Sequence, residues 1–232
     1  MPLPDSYRDN LARYGHPYDL RRYETLNLEH YACPLCWATD RDRLYALYIR
    51  DYLKDKWAGV TFSLVDFAPG QALSRFIRRL VVQVPGVSYR TADLHMEGVD
   101  DQVDLTDMRA YADQCFDFFI CSHVLEHVQN DRKAMRELWR ILKPGGQGIL
   151  MVPINLQVGE IDEDPTVTDV AERWRRFGQG DHVRLYSKVG FVARVEEAGF
   201  EVRQLGQGLF GPAVFMPNGI TPQSILYIVK KR

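Results

Sequence analysis

The residues best suited to do chemistry lie close together in Ser122-His123-Val124-Leu125-Glu126-His127, with a further histidine in Gly180-Asp181-His182-Val183-Arg184-Leu185-Tyr186. An imidazole titrates near neutral pH, so a histidine placed at the end of a strand can accept a proton from a reacting hydroxyl or amine. His123 is the candidate proton acceptor. His182 is the candidate for orienting the acceptor or the base, and His127 is expected to tie its loop to the following helix. His123-x-x-Glu126-His127 also matches an inverted zinc-peptidase pattern. That chemistry needs both histidines on one helical face and a third ligand. Here the motif leaves a strand and a new helix starts at Asn130-Asp131, so a loop is expected and peptidase chemistry is set aside.

Two acids form a second group. Asp66 closes the apolar run Phe62-Ser-Leu-Val-Asp-Phe, which stops at Ala68-Pro69-Gly70. Asp93 stands near the end of Val87-Ser-Tyr-Arg-Thr, at a distance that fits one β-α-β unit. An acid in that second position can accept hydrogen bonds from the two vicinal hydroxyls of a ribose.

These residues need a scaffold, and the periodicities supply one. Strand, tight turn and helix follow one another from Phe62, with Leu73, Phe76, Ile77 and Leu80 at helical spacing. Phe116 to Cys121 reads as a strand in mid-sheet, Asp131 to Leu142 as a helix stopped by Lys143-Pro144-Gly145-Gly146, and Gly148 to Val152 as the next strand. Ser187 caps a helix that ends at Gly199, and Phe200–Leu205 and Ile225–Val229 are the last two strands. Residues 1–58 read as a helical extension or lid: a short helix from Asp5 to Gly15, a Cys33-Pro34-Leu35-Cys36 turn, and an amphipathic helix from Asp40 to Trp57. Residues 59–232 form the main domain. The lone Cys-x-x-Cys lacks a second pair, so a turn with two thiols is favoured over a zinc site.

Composition narrows the function. The chain has 232 residues, 46% hydrophobic and 26% charged, with a formal net charge of -2. Nothing in that balance favours nucleic acid as a partner. No apolar run reaches the roughly 20 residues of a membrane helix, and the first residues carry no signal-like core, so a cytoplasmic protein is expected.

In order, the strand, His-Val-Leu-Glu-His-Val, Arg-Glu-Leu-x-Arg-x-Leu-Lys-Pro-Gly-Gly and Ile-Leu-Met-Val-Pro resemble class I S-adenosylmethionine-dependent methyltransferases. Phe-Ala-Pro at 67–69, Cys-Pro-x-Cys at 33–36 and Asp-His-Val-Arg-x-Tyr at 181–186 resemble a branch met among polysaccharide- and sugar-related enzymes. The resemblance implies an α/β, doubly wound, Rossmann-like sheet of seven mostly parallel strands, with the last pair antiparallel. It implies S-adenosyl-L-methionine as methyl donor, held by Asp66, Ala68, Gly70, Asp93, Leu94, Asp104, Leu105 and Ser122. The expected reaction is transfer to a hydroxyl of a small-molecule, sugar or glycan acceptor, leaving S-adenosylhomocysteine. N-methylation, a nucleotide-binding protein without catalysis and an NAD-dependent oxidoreductase are the alternatives, and Ala68-Pro69-Gly70-Gln71-Ala72-Leu73 is a poor version of the last one's glycine loop. Some metal-assisted O-methyltransferases carry Glu-x-x-Glu-His where this chain has His123, Glu126 and His127. Whether these residues and His182 hold a divalent ion stays open.

Overall fold

A computed structural model describes residues 1–54 and 61–232. The helix expected to end at Trp57 is seen to Lys54, and its last three residues and the boundary at 58 lie outside the described residues. In chain order the elements are α1 (Asp5–Tyr14), α2 (Asp40–Lys54), β1 (Phe62–Phe67), α3 (Gln71–Val81), β2 (Val87–Asp93), β3 (Asp101–Gln102) and β4 (Phe116–Ser122). Then come α4 (Asp131–Ile141), β5 (Leu142–Met151), β6 (Asp162–Glu163), α5 (Val170–Phe177), β7 (Arg184–Leu185), α6 (Lys188–Glu197), β8 (Phe200–Leu205), α7 (Gln207–Phe210), α8 (Pro212–Phe215) and β9 (Leu226–Lys231).

Seven strands make one sheet in the order β3-β2-β1-β4-β5-β9-β8. The pairs from β3 through β5 are parallel, and β9 runs antiparallel to both neighbours. The chain therefore leaves β1 toward β2 and β3 and later returns to place β4 on the other side of β1. Such a reversal opens a crevice at the carboxyl ends of β1 and β4, where ligands of doubly wound sheets bind.

The central strands are apolar because both their faces are covered. Phe118, Phe119, Ile120 and Cys121 of β4 are buried with Leu64, Val65 and Phe67 of β1. Helical stripes complete the core: Leu44, Ile49 and Leu53 from α2, Leu73 and Ile77 from α3, Leu138 and Ile141 from α4, Phe191 and Val195 from α6. Each such side chain contributes about 1.5–3 kcal/mol when fully buried. Gly148 on β5 is required by packing, since a Cβ there would lie 2.6 Å from ring carbons of Phe119.

One boundary differs from the sequence reading. β5 begins at Leu142, before Lys-Pro-Gly-Gly instead of after it. Leu142 pairs with Phe116, and the ladder resumes at Gln147 opposite Phe118, so the glycine turn is an irregularity inside the strand. Gly145 supplies the positive φ that this excursion needs.

The stretch from Ile154 to Gly180 is locally ordered. β6 pairs with β7, and α5 packs on α1, with Trp174 stacked on Tyr14 at 5.8 Å. Tyr23, Phe177 and Leu185 form a second small core. The N-terminal segment is thereby fastened over the carboxyl edge of the sheet.

Candidate active site

β4 ends at Ser122, whose hydroxyl lies 2.8 Å from the Tyr45 hydroxyl on α2. His123 follows with φ 57, and its N–H donates to Met151 O at 2.8 Å. This left-handed step lifts the chain out of the sheet into a loop of turns. A helical face for the two histidines is therefore absent, as the sequence suggested. Leu125 plugs into the core and Asn130 caps α4 through Lys133 N–H.

A second loop holds the first in place. Val183 N–H donates to Glu126 O at 2.9 Å. Arg184, 4% exposed, donates from Nη1 to Leu125 O and Val128 O at 2.7 and 2.5 Å, and from Nη2 to Gln129 O at 2.9 Å. Its Nε donates to Glu163, while the Tyr186 hydroxyl and Arg194 both donate to Asp131. Arg184 and Tyr186 are both buried and clasp the histidine loop and the start of α4.

Within this frame His123 Nδ1 lies 3.3 Å from Glu126 Oε1, and His127 Nε2 lies 4.0 Å from the same oxygen. His127 Nδ1 is 3.3 Å from Asp181 Oδ2, and its ring meets the edge of His182 with centroids 4.7 Å apart. His182 Nδ1 is 3.2 Å from Phe177 O. Glu126 is 1% exposed, and its Oε2 has no hydrogen-bond partner. Burial and the Arg41 guanidinium push His123 down to about 4, against the pull of Glu126. Burial alone would raise Glu126, but the His123 hydrogen bond and the nearby imidazoles hold it at about 2. The pair is thus a neutral imidazole oriented by a carboxylate. Nδ1 faces Glu126, and the Nε2 lone pair is left to accept a proton.

His123, Glu126, His127 and His182 line a cavity of about 460 Å³. Its opposite wall comes from the N-terminal segment, including Leu3, Tyr7, Asn10 and Tyr23, together with Arg41 of α2. Sequence reasoning missed these residues. The packing stripe of α2 gave no sign that Arg41, off that stripe, turns into a cavity. Its guanidinium has no hydrogen bond or ion pair among the described residues. The segment's tyrosines and small polar residues carry no motif.

The expected cofactor residues gather at the carboxyl ends of β1 to β4. Ala68 takes φ 52, the conformation for which glycine is the default, and this places it where a glycine would serve. Gly70 precedes α3 without a side-chain cap, which leaves the first amides of that helix available to an anion. Asp42 of α2 stands over Gly70, 3.5 Å from where a Cβ would be. Asp93 Oδ1 accepts from the His95 and Met96 amides at 2.7 Å each, and Oδ2 is left over. Leu94 and Met96 beside it are 49% and 41% exposed, apolar surfaces at the edge of the crevice. Asp104 Oδ1 accepts from Thr106, and Leu105 is buried. Asp66 is tied up: it is 2% exposed, accepts from the Tyr89 hydroxyl at 2.7 Å, and is pushed up to about 7, chiefly by burial. An uncapped helix start, an acid with an open oxygen and flanking apolar side chains fit the methionine carboxylate, ribose and adenine of S-adenosylmethionine. Cys33 and Cys36 stay free thiols and join no ligand cluster among the described residues.

This sheet order, with a histidine loop at the switch point, defines a class I methyltransferase-type Rossmann-like protein. The chain belongs to the family described as "Methyltransferase domain", which matches residues 37–205. Among curated proteins it resembles the ubiquinone/menaquinone biosynthesis C-methyltransferase UbiE of Hydrogenovibrio crunogenus (strain DSM 25203 / XCL-2), 44% identical over 55 residues. That match spans 22% of this chain and 22% of the relative. In structure it is similar to the DszA carbon methyltransferase (TM-score 0.54, 15% identity, 82% of this chain and 53% of that one). The [4+2]-cyclase SpnF is also similar (TM-score 0.51, 14% identity, 97% and 91%). At such identities the structural likeness establishes the fold. The family implies use of S-adenosylmethionine, and no helix among the described residues is long and apolar enough to cross a membrane.

Proposed function

We propose that the chain methylates a hydroxyl of a small-molecule or sugar-type acceptor bound in the cavity, with His123 taking the proton. One observation carries the reading. The Glu126-oriented imidazole of His123 stands at the carboxyl end of β4 and opens into a cavity closed by the N-terminal segment. S-adenosylmethionine, when bound, supplies an electrophilic methyl group. Asp93, Leu94 and Leu105 hold its nucleoside end, together with the turn at Ala68–Gly70. What remains for the protein is alignment in a dry pocket, for which well-oriented reactants gain roughly 7–11 kcal/mol at most. A positioned base adds about 10²–10⁴ in rate. Ser6, Asn10 and Gln179 in the cavity wall are suited to a hydroxyl-rich acceptor, which supports the sugar-type reading.

The test uses a panel of sugar nucleotides, glycans and phenols with donor labelled by ¹³C in the methyl group, and the product's carbon shift separates O-, N- and C-methylation. The His123→Gln variant should bind S-adenosylhomocysteine within a few-fold of wild type and lose about 10²–10⁴ in single-turnover rate. Equal rates in the two proteins sink the role of His123, and a carbon-bound label sinks the hydroxyl acceptor.

A further inference from the structure

We infer that Glu126, His127 and His182 form a binding site for one divalent transition-type cation, zinc or iron(II), in the wall of the cavity. Their donor atoms lie within 4.8 Å of one another, two of the three residues buried and one half-buried.

The tautomers are set from outside the cluster. His182 Nδ1 points at Phe177 O, which can only accept, so that nitrogen carries the hydrogen and Nε2 keeps a lone pair. His127 Nδ1 points at the Asp181 carboxylate in the same way, and its Nε2 faces Glu126. Outer hydrogen bonds of this kind, to a carbonyl and to a carboxylate, are what orients histidines around a metal.

Inside the cluster two imidazole lone pairs therefore confront a carboxylate with no hydrogen between them. The 4.0 Å from His127 Nε2 to Glu126 Oε1 is too long for a hydrogen bond, and Glu126 Oε2 is buried without any partner. Three electron-pair donors and one orphaned anionic oxygen are a costly arrangement in a buried wall. A cation at their centre removes that cost. His123 takes no part as a ligand, because its Nδ1 already serves Glu126 Oε1.

Two imidazoles and one carboxylate suit zinc and iron(II) better than magnesium or calcium, which prefer oxygen shells. Donors about 2.1 Å from a tetrahedral ion stand roughly 3.4 Å apart, so closing the cluster takes shifts of about an ångström or less. Three protein ligands leave a coordination position toward the cavity, open to water or to an acceptor oxygen. The site is argued from these side chains alone, and its test reads ion binding, so it stands or falls separately from the proposed acceptor.

The experiment is calorimetric titration of the EDTA-dialysed full-length chain with zinc sulfate, and with cobalt(II) chloride followed by its visible d–d bands. One ion per chain and a tetrahedral cobalt spectrum are expected. Glu126→Gln should abolish both, and Asp181→Asn, at an exposed position, should weaken binding by about 10–100-fold with the fold intact by circular dichroism. Cys33→Ser/Cys36→Ser should bind as wild type does. No binding by wild type overturns the site, and so does binding that survives Asp181→Asn unchanged or vanishes in the cysteine variant.

Discussion

Arg184→Met is the most informative single perturbation, because one buried guanidinium holds the whole histidine loop. Methionine fills much of the same volume but donates nothing. The substitution strips hydrogen bonds from three carbonyls, Leu125, Val128 and Gln129, and removes the cation beside Glu163. Charge-assisted hydrogen bonds contribute about 1.5–3 kcal/mol each, but bonds to one side chain are not additive. Removing one member of a buried ionic cluster costs about 3–5 kcal/mol, which is the better guide at 4% exposure. For a chain of this length each kcal/mol moves Tm by about 2–4 °C, so a fall of roughly 6–20 °C is expected. Arg184→Lys keeps the charge but lacks the fork that spans several carbonyls, and should recover less than half of the loss. Differential scanning calorimetry at pH 7 reads both. A methionine variant melting within about 2 °C of wild type refutes the clasp.

Asp93→Asn keeps the amide-binding oxygen at 93 but removes the charge, and should weaken S-adenosylhomocysteine by about 10–100-fold in a calorimetric titration. Asp66 has a folded pKa of about 7, raised by burial and by Asp42 against Tyr89 and Arg78. Its favourable share of stability is therefore complete below its unfolded pKa of about 4 and is lost as pH rises through 7, by up to about 4 kcal/mol. Urea melts of wild type and Asp66→Asn should diverge between pH 4 and 8, and parallel curves reject the assignment.

Where a signal was local and periodic, the sequence was enough. The β1 run, the α3 and α4 stripes, the Ser187 cap and the last two strands stand where spacing put them. β5 was displaced at its start because Lys-Pro-Gly-Gly reads as a stop, and only pairing with Phe116 extends the strand across it. Of the site, His123 and the acids at strand ends were legible because topology fixes strand ends. The clasp by Arg184 and Tyr186 was not, because it joins residues more than fifty positions apart, Arg184 through carbonyls that leave no trace in side-chain pattern and Tyr186 through the Asp131 carboxylate. Arg41 was hidden for a related reason: helical periodicity says which face is apolar, not what stands opposite the polar one.

The cavity's wall has a consequence for how such chains diverge. Ten of its 21 lining residues precede residue 37, outside the stretch that carries the family signature. On the proposed reading, the transfer machinery and much of the acceptor's mould are thus written in separate parts of the gene. Mutation or recombination in the first 36 codons can recast the mould while the signature stays intact. Kinship computed from residues 37–205 then reports ancestry and sees only about half of the cavity's wall.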